Sequence, residues 1–191
     1  MGYNYVIDPI ILIIDSIFSL YILAIVLRFM LQWCGADYYN PISQFLVKIT
    51  HPPLRILRRF IPPIGKIDTS SIVLVVALQM LADFSVLLLK GVSIGVGALA
   101  ILALTQLITL LINIYIFSVI GQAILSWFNP GSFSAGASIL YSITAPLLNL
   151  CRRFVPDLGG LDLSPVLALL FLQLAKMIIL PPLHELASLI G

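Results

Sequence analysis

Charge is what this sequence has least of: 9% of its 191 residues are Asp, Glu, Lys or Arg, against about 25% in a soluble domain. With 61% hydrophobic residues, that shortage excludes a soluble globular chain and indicates a membrane protein. Cysteine is almost as scarce. Cys34 and Cys151 stand alone at different repeat positions, which rules out a disulfide framework or a metal-spaced pair and leaves packing as their role. Isolated His51 and His184 have no ligand neighbour at useful spacing, and His184-Glu185 lacks the second histidine of a zinc-protease helix. A Gly-rich phosphate loop, a nucleophile elbow and a Cys-His pair are all missing. No catalytic residue, metal or cofactor is therefore expected. The first ten residues contain no Lys or Arg, which argues against a cleaved secretory signal and for a permanent first helix.

Long apolar runs are present instead. A helix needs about 20 mostly apolar residues to cross the hydrocarbon, and 9–33, 70–90, 97–127 and 164–186 qualify. A barrel would need many short alternating strands, which the sequence does not offer. The third run exceeds a straight crossing and should tilt or extend beyond the bilayer.

The chain also contains itself. Residues 33–79 align with 127–173 at a constant offset of 94 without a gap. Arg58-Arg59-Phe60-Ile61-Pro62-Pro63-Ile64-Gly65-Lys66-Ile67-Asp68-Thr69-Ser70 matches Arg152-Arg153-Phe154-Val155-Pro156-Asp157-Leu158-Gly159-Gly160-Leu161-Asp162-Leu163-Ser164 at seven of thirteen positions. In so apolar a chain Leu and Ile match by chance, but Arg-Arg, Pro, Gly, Asp and Ser at one offset do not. The predicted organisation is a first repeat, 1–94, and a second, 95–191, each supplying two spans to one membrane domain.

Seven of the ten basic residues, Lys48, Arg55, Arg58, Arg59, Lys66, Arg152 and Arg153, fall in the connections within the repeats. By the positive-inside bias these connections face the cytoplasm and both termini face outward. Each repeat crosses twice, so the two are parallel and related by an axis along the membrane normal, not inverted. The first connection steps its polar positions Gln44, Lys48, His51, Arg55, Arg58 and Arg59 by four and three. Ile42, Phe45, Leu46, Ile49, Ile56, Leu57 and Phe60 fill the other face, the pattern of an interfacial amphipathic helix. Pro52-Pro53 is expected to divide it into two short helices. The second connection keeps the pattern, interrupted at Pro146, with much less charge, so each connection is expected to hold a pair of short amphipathic helices. Expected ligands are therefore membrane lipids, with a protein partner or homo-oligomer possible by the same surfaces and no nucleic acid.

In the repeated motif, Pro62 or Pro156 stops one helix, Gly65 or Gly159 reverses the chain, and Ser70 or Ser164 can cap the next helix. Asp68 and Asp162 sit where a helix amino end favours negative charge, within reach of the preceding arginines. The motif reads either as a topology anchor with its cap or as a site for anionic lipid or a partner.

This doubled Arg-Arg-Phe-x-Pro-x-x-Gly-x-x-Asp-x-Ser, with Trp33 and Trp127 ending the preceding spans and Asp37-Tyr38-Tyr39-Asn40-Pro41 after the first, resembles the YggT family of small bacterial integral membrane proteins. The likeness covers nearly the whole chain. It implies a bacterial inner-membrane setting in osmotic-stress tolerance or ion homeostasis, and plastid relatives imply nucleoid distribution or cytochrome assembly. It carries no catalytic residues. Lys66 stands where the family usually has a second Gly.

Ionisable groups within the spans cost about 2.5 kcal/mol or more near a bilayer centre and need a partner, water or an escape. Arg28, five residues before Trp33, is expected to snorkel to the headgroups. Asp15, Asp83 and Lys176 fall in the outer half, and Asp83 and Lys176 lie one position apart in the repeat register. A buried pair between them, with Asp15 nearby, is predicted. Gln79 and Gln173 are repeat equivalents, and Gln122 replaces Arg28. These amides would glue helices or, with Gln106 and Asn113, line a narrow path. The leading expectation is an all-α, four-span, non-enzymatic scaffold or accessory protein, with a small oligomeric channel or transporter as the alternative.

Overall fold

The computed structural model describes residues 5–65, 67–128, 134–154 and 162–190. Six helices account for nearly all of them: α1 (Ile7–Trp33), α2 (Pro41–Leu57), α3 (Thr69–Leu89), α4 (Val96–Phe128), α5 (Ala135–Cys151) and α6 (Ser164–Ile190). Four are long and apolar enough to cross a membrane, α1, α3, α4 and α6, and they fall on the four predicted runs. The chain is thus a multi-pass membrane protein. At 33 residues α4 is the longest, roughly 50 Å at 1.5 Å per residue, so it exceeds the hydrocarbon as its sequence run indicated.

Packing follows the duplication. α1 lies against α3 as α4 lies against α6, and α2 and α5 fold back onto the spans of their own halves. The halves join where α3 meets α4 and where α5 touches α1 and α2. Lipid offers no hydrophobic drive between helices, so close approach depends on small residues. Ala98, Ala103, Ala168 and Ser164 are fully buried, whereas Leu12, Leu20, Phe171 and Met177 point outward.

Asn40 and Ser134, repeat equivalents, start the two shorter helices. The Asn40 carboxamide oxygen accepts the Ile42 amide at 2.9 Å, Pro41 follows as the first helical residue, and Ser134 Oγ accepts the Ala137 amide at 3.1 Å. Asn40 Nδ2 also donates to the Ala135 carbonyl at 2.8 Å, tying one half to the other.

One helical expectation fails. α2 runs unbroken through Pro52 and Pro53, not as two short helices. Each proline removes an amide that would bond the carbonyl four residues earlier. The carbonyl freed by Pro53 belongs to Ile49, and the Tyr21 hydroxyl of α1 donates to it at 3.3 Å. Tertiary packing thus supplies what the sequence withholds. α5 likewise runs unbroken through Pro146, where an interruption is expected from the sequence, and α6 through Pro181 and Pro182.

Candidate functional site

The α1 carboxyl end, α2 and the residues Arg58, Pro63 and Asp68 line a cleft of about 950 Å³ at the end of the bundle that carries the basic connections. α2 turns Ser43, Leu46, Thr50 and Leu54 inward, three or four residues apart as one helical face requires. Lys48, His51 and Arg55 remain exposed, as do Ile42, Phe45 and Ile56 of the apolar set.

Arg28 departs from expectation. Rather than snorkelling to an open interface it lies beneath α2, 8% exposed, with Nη1 donating to Thr50 Oγ1 at 2.8 Å. Thr50 Oγ1 in turn donates a hydrogen bond to the Leu46 carbonyl at 2.6 Å. Arg58 and Asp68, which also line the cleft, form an ion pair, and Ser71 Oγ donates to the same carboxylate oxygen at 2.7 Å. Burial alone raises the Asp68 carboxyl; the hydrogen bonds from Arg58 and Ser71 and the Arg58 charge outweigh it and hold the group below its ordinary value. Two polar atoms of this region, Ser43 Oγ and Asp68 Oδ1, are buried without a hydrogen-bond partner.

The turn and cap residues divide. Gly65 takes a positive φ of 61°, and Ile64 and Ile67 exchange backbone hydrogen bonds of 3.1 and 3.0 Å around it. Ser70, expected to cap α3, instead donates to the Ile61 carbonyl at 2.7 Å, because Asp68 already occupies the cap position. The Asp68 side chain makes no cap hydrogen bond there, but in the second half Asp162 Oδ1 accepts the Ser164 amide at 2.9 Å, so in that copy the carboxylate takes the role expected of the serine. Arg152 pairs with Asp162 at 2.8 Å. Ser164 and Arg152 hold the Asp162 carboxyl below its ordinary value, against the upward push of burial. Arg59, Arg152 and Arg153 are exposed; Lys66 and Gly159 lie outside the described residues. Burial pushes the Cys34 and Cys151 thiols up, away from the reactive thiolate.

Within the spans, the expected Asp83–Lys176 pair does not form. α3 and α6 each pack on α4, and α4 offers each ion an amide. Asp83 Oδ1 accepts from Gln79 Nε2 at 3.2 Å and Gln106 Nε2 at 3.1 Å, and Gln79 also donates to Gln106. Lys176 Nζ donates to Asn113 Oδ1 at 3.1 Å. Asp15 joins Gln79, Asp83 and Gln106 around a recess of about 420 Å³. Gln173 is exposed, and Gln122 is half-buried with its Oε1 unpartnered. Among the described residues, no three His, Cys, Asp or Glu side chains gather to hold a metal.

The CCB3/YggT family model matches residues 7–89 and again 101–183. The second match starts 94 residues after the first, at 101 against 7, and ends 94 after it, at 183 against 89, the offset of the internal repeat. The chain belongs to the CCB3/YggT family. An uncharacterized Pseudomonas aeruginosa protein is 41% identical to it over 181 residues, 94% of this chain and 90% of that one. The uncharacterized protein YggT of Escherichia coli K12 is 36% identical over 168 residues, 86% of each. A chloroplastic YlmG homolog from Arabidopsis thaliana is 44% identical over 62 residues, 32% of this chain and 24% of that one. No solved structure matches the chain. These relatives indicate no enzymatic family.

Two features of the site escaped sequence reasoning. Thr50 and Ser43 were ordinary α2 positions until the fold set them beside Arg28, although inward spacing at 43, 46, 50 and 54 was a readable signal. Asn40 before Pro41 was a readable cap, whereas its reach to Ala135 required the second half in place.

Proposed function

We propose that this CCB3/YggT protein is a non-enzymatic scaffold or accessory factor of the bacterial inner membrane. Its basic connections dock on anionic lipid and a protein partner at the cytoplasmic face, with both termini outside. On this reading 1–94 and 95–191 are two units of one membrane domain, and the family likeness points to osmotic-stress or ion homeostasis, or envelope organisation.

One observation carries it: exposed Lys48, Arg55, Arg59, Arg152 and Arg153 lie on the connections beside exposed Ile42, Phe45, Ile56 and Phe60. Cations interleaved with apolar side chains suit the headgroup boundary, where each basic residue is worth about 1 kcal/mol near an anionic surface. Arg58 and Arg152 are engaged with Asp68 and Asp162, so the test belongs on their free neighbours. Photoreactive residues at Arg55 and Arg153 in cells should trap anionic lipid and one discrete protein. Lipid alone would remove the partner from the account; neither would remove the account.

A second reading, an oligomeric channel or transporter, is favoured by the recess lined by Asp15, Ser19, Gln79, Asp83 and Gln106. Ion flux into liposomes holding the purified protein, lost on Gln79→Leu or Asp83→Asn with folding intact, would select it.

A further inference from the structure

The cleft beneath α2 presents a buried cation with no ion-pair partner of its own: the carboxylate that acts on Arg28 from a distance, Asp68, is already paired with Arg58. Arg28 is nine-tenths buried, its hydrogen bond goes to the neutral Thr50, and no carboxylate of the described residues pairs with it. Such a charge is costly unless paired. Arg58 is already answered by Asp68, so Arg28 and Lys48 leave the cleft with excess positive charge. Ser43 and Asp68 line the same cleft, and each has a buried polar atom without a hydrogen-bond partner, the hydroxyl Ser43 Oγ and the acceptor Asp68 Oδ1. An anion with a hydroxyl arm meets both demands, the anion taking Arg28, Lys48 and Ser43 while the hydroxyl donates to Asp68. The volume of about 950 Å³ is that of a ligand site, roughly 300–1,000 Å³.

The duplication supplies an internal comparison. Thr50, Arg58 and Asp68 recur as Thr144, Arg152 and Asp162, the parts that build the connection. Arg28, Ser43, Lys48 and His51 become Gln122, Ala137, Ser142 and Ala145. The ion pair recurs in both halves, whereas Arg28, Ser43, Lys48 and His51, which also line the cleft, occur in the first half alone.

We propose that the cleft binds a glycerophosphate group, either the headgroup of phosphatidylglycerol or a soluble glycerol phosphate, with Arg28 as its principal cationic ligand. The site shares Lys48 with the docking reading but is separable from it, because Arg28 and Ser43 belong to the cleft alone and Arg55, Arg59 and the second connection to docking alone.

The test is native mass spectrometry of the full detergent-solubilised chain with short-chain phosphatidylglycerol or glycerol 3-phosphate added. Wild type should retain one of them specifically, and phosphatidylethanolamine, which carries no net charge, more weakly. Arg28→Gln installs the residue the second repeat already has, and should weaken retention about tenfold or more, as loss of a charge-assisted hydrogen bond does. Ser43→Leu, which keeps every charge and fills space, should do the same. Arg28-dependent retention of the lipid identifies a headgroup site, and of glycerol 3-phosphate a soluble ligand; both support the proposal. Retention indifferent to both substitutions overturns it. Loss on Arg55→Ala with Arg59→Ala but not on Arg28→Gln overturns the cleft while sparing the docking reading, and loss on Arg28→Gln alone supports the cleft and leaves the docking reading to its crosslinking test.

Discussion

At the scale of single residues, the two copies of one motif make an ion pair of unequal worth. Asp68 is 2% exposed and Arg58 34%, whereas Asp162 and Arg152 are 46% and 47% exposed. Asp68→Asn should therefore cost about 1–3 kcal/mol in thermal unfolding followed in detergent, and Asp162→Asn under about 1 kcal/mol. Both carboxyls are held below their ordinary value. Their contribution is therefore complete above the unfolded value of about 3.9 and disappears as pH falls through the lowered folded value. The stability gap between wild type and Asp68→Asn should close on acidification through that window; a gap independent of pH would refute the pairing. The pairing of motif Arg and Asp was legible in the sequence, because ten residues and a glycine turn separate them. Arg28 was misread because its burial depends on α2 folding over it, a contact between residues 22 positions apart that local spacing does not encode.

At the scale of elements, α2 keeps its continuity past two prolines through a contact from α1. Tyr21→Phe removes the donor to Ile49 and should cost about 1 kcal/mol, with faster hydrogen exchange confined to α2; an unchanged exchange pattern would mean that the helix needs no such support. Among the spans, Gln79, Asp83 and Gln106 join α3 to α4 while Asn113 and Lys176 join α4 to α6. Interhelical polar contacts of this kind are worth about 0.6–2 kcal/mol each. The double exchange Asp83→Lys with Lys176→Asp should therefore show no rescue in thermal unfolding, its cost at least equal to that of either single change. Rescue would restore the ion pair that the fold does not form. Span existence was legible from apolar length. Which polar groups meet was not, since the repeat register gives height along the bundle and leaves the neighbour around it undetermined.

At the scale of the whole molecule, duplication builds a frame and divergence populates it. The family matches recur at the offset of the repeat, and both halves fold as a span, a shorter helix and a second span. The charged cleft belongs to the first half only, because Gln122 replaces Arg28. The central claim is that two parallel copies bring both connections to one face of the membrane. Cysteine labelling in intact cells tests it most directly, with Cys34 and Cys151 changed to Ser and single cysteines placed at Gln44, at its repeat equivalent Ser138, and at Val92 between α3 and α4. A membrane-impermeant thiol reagent should label Val92→Cys from outside and reach Gln44→Cys and Ser138→Cys only after permeabilisation. Labelling of Gln44→Cys and Ser138→Cys from opposite sides would contradict the parallel arrangement and the joint docking surface built upon it.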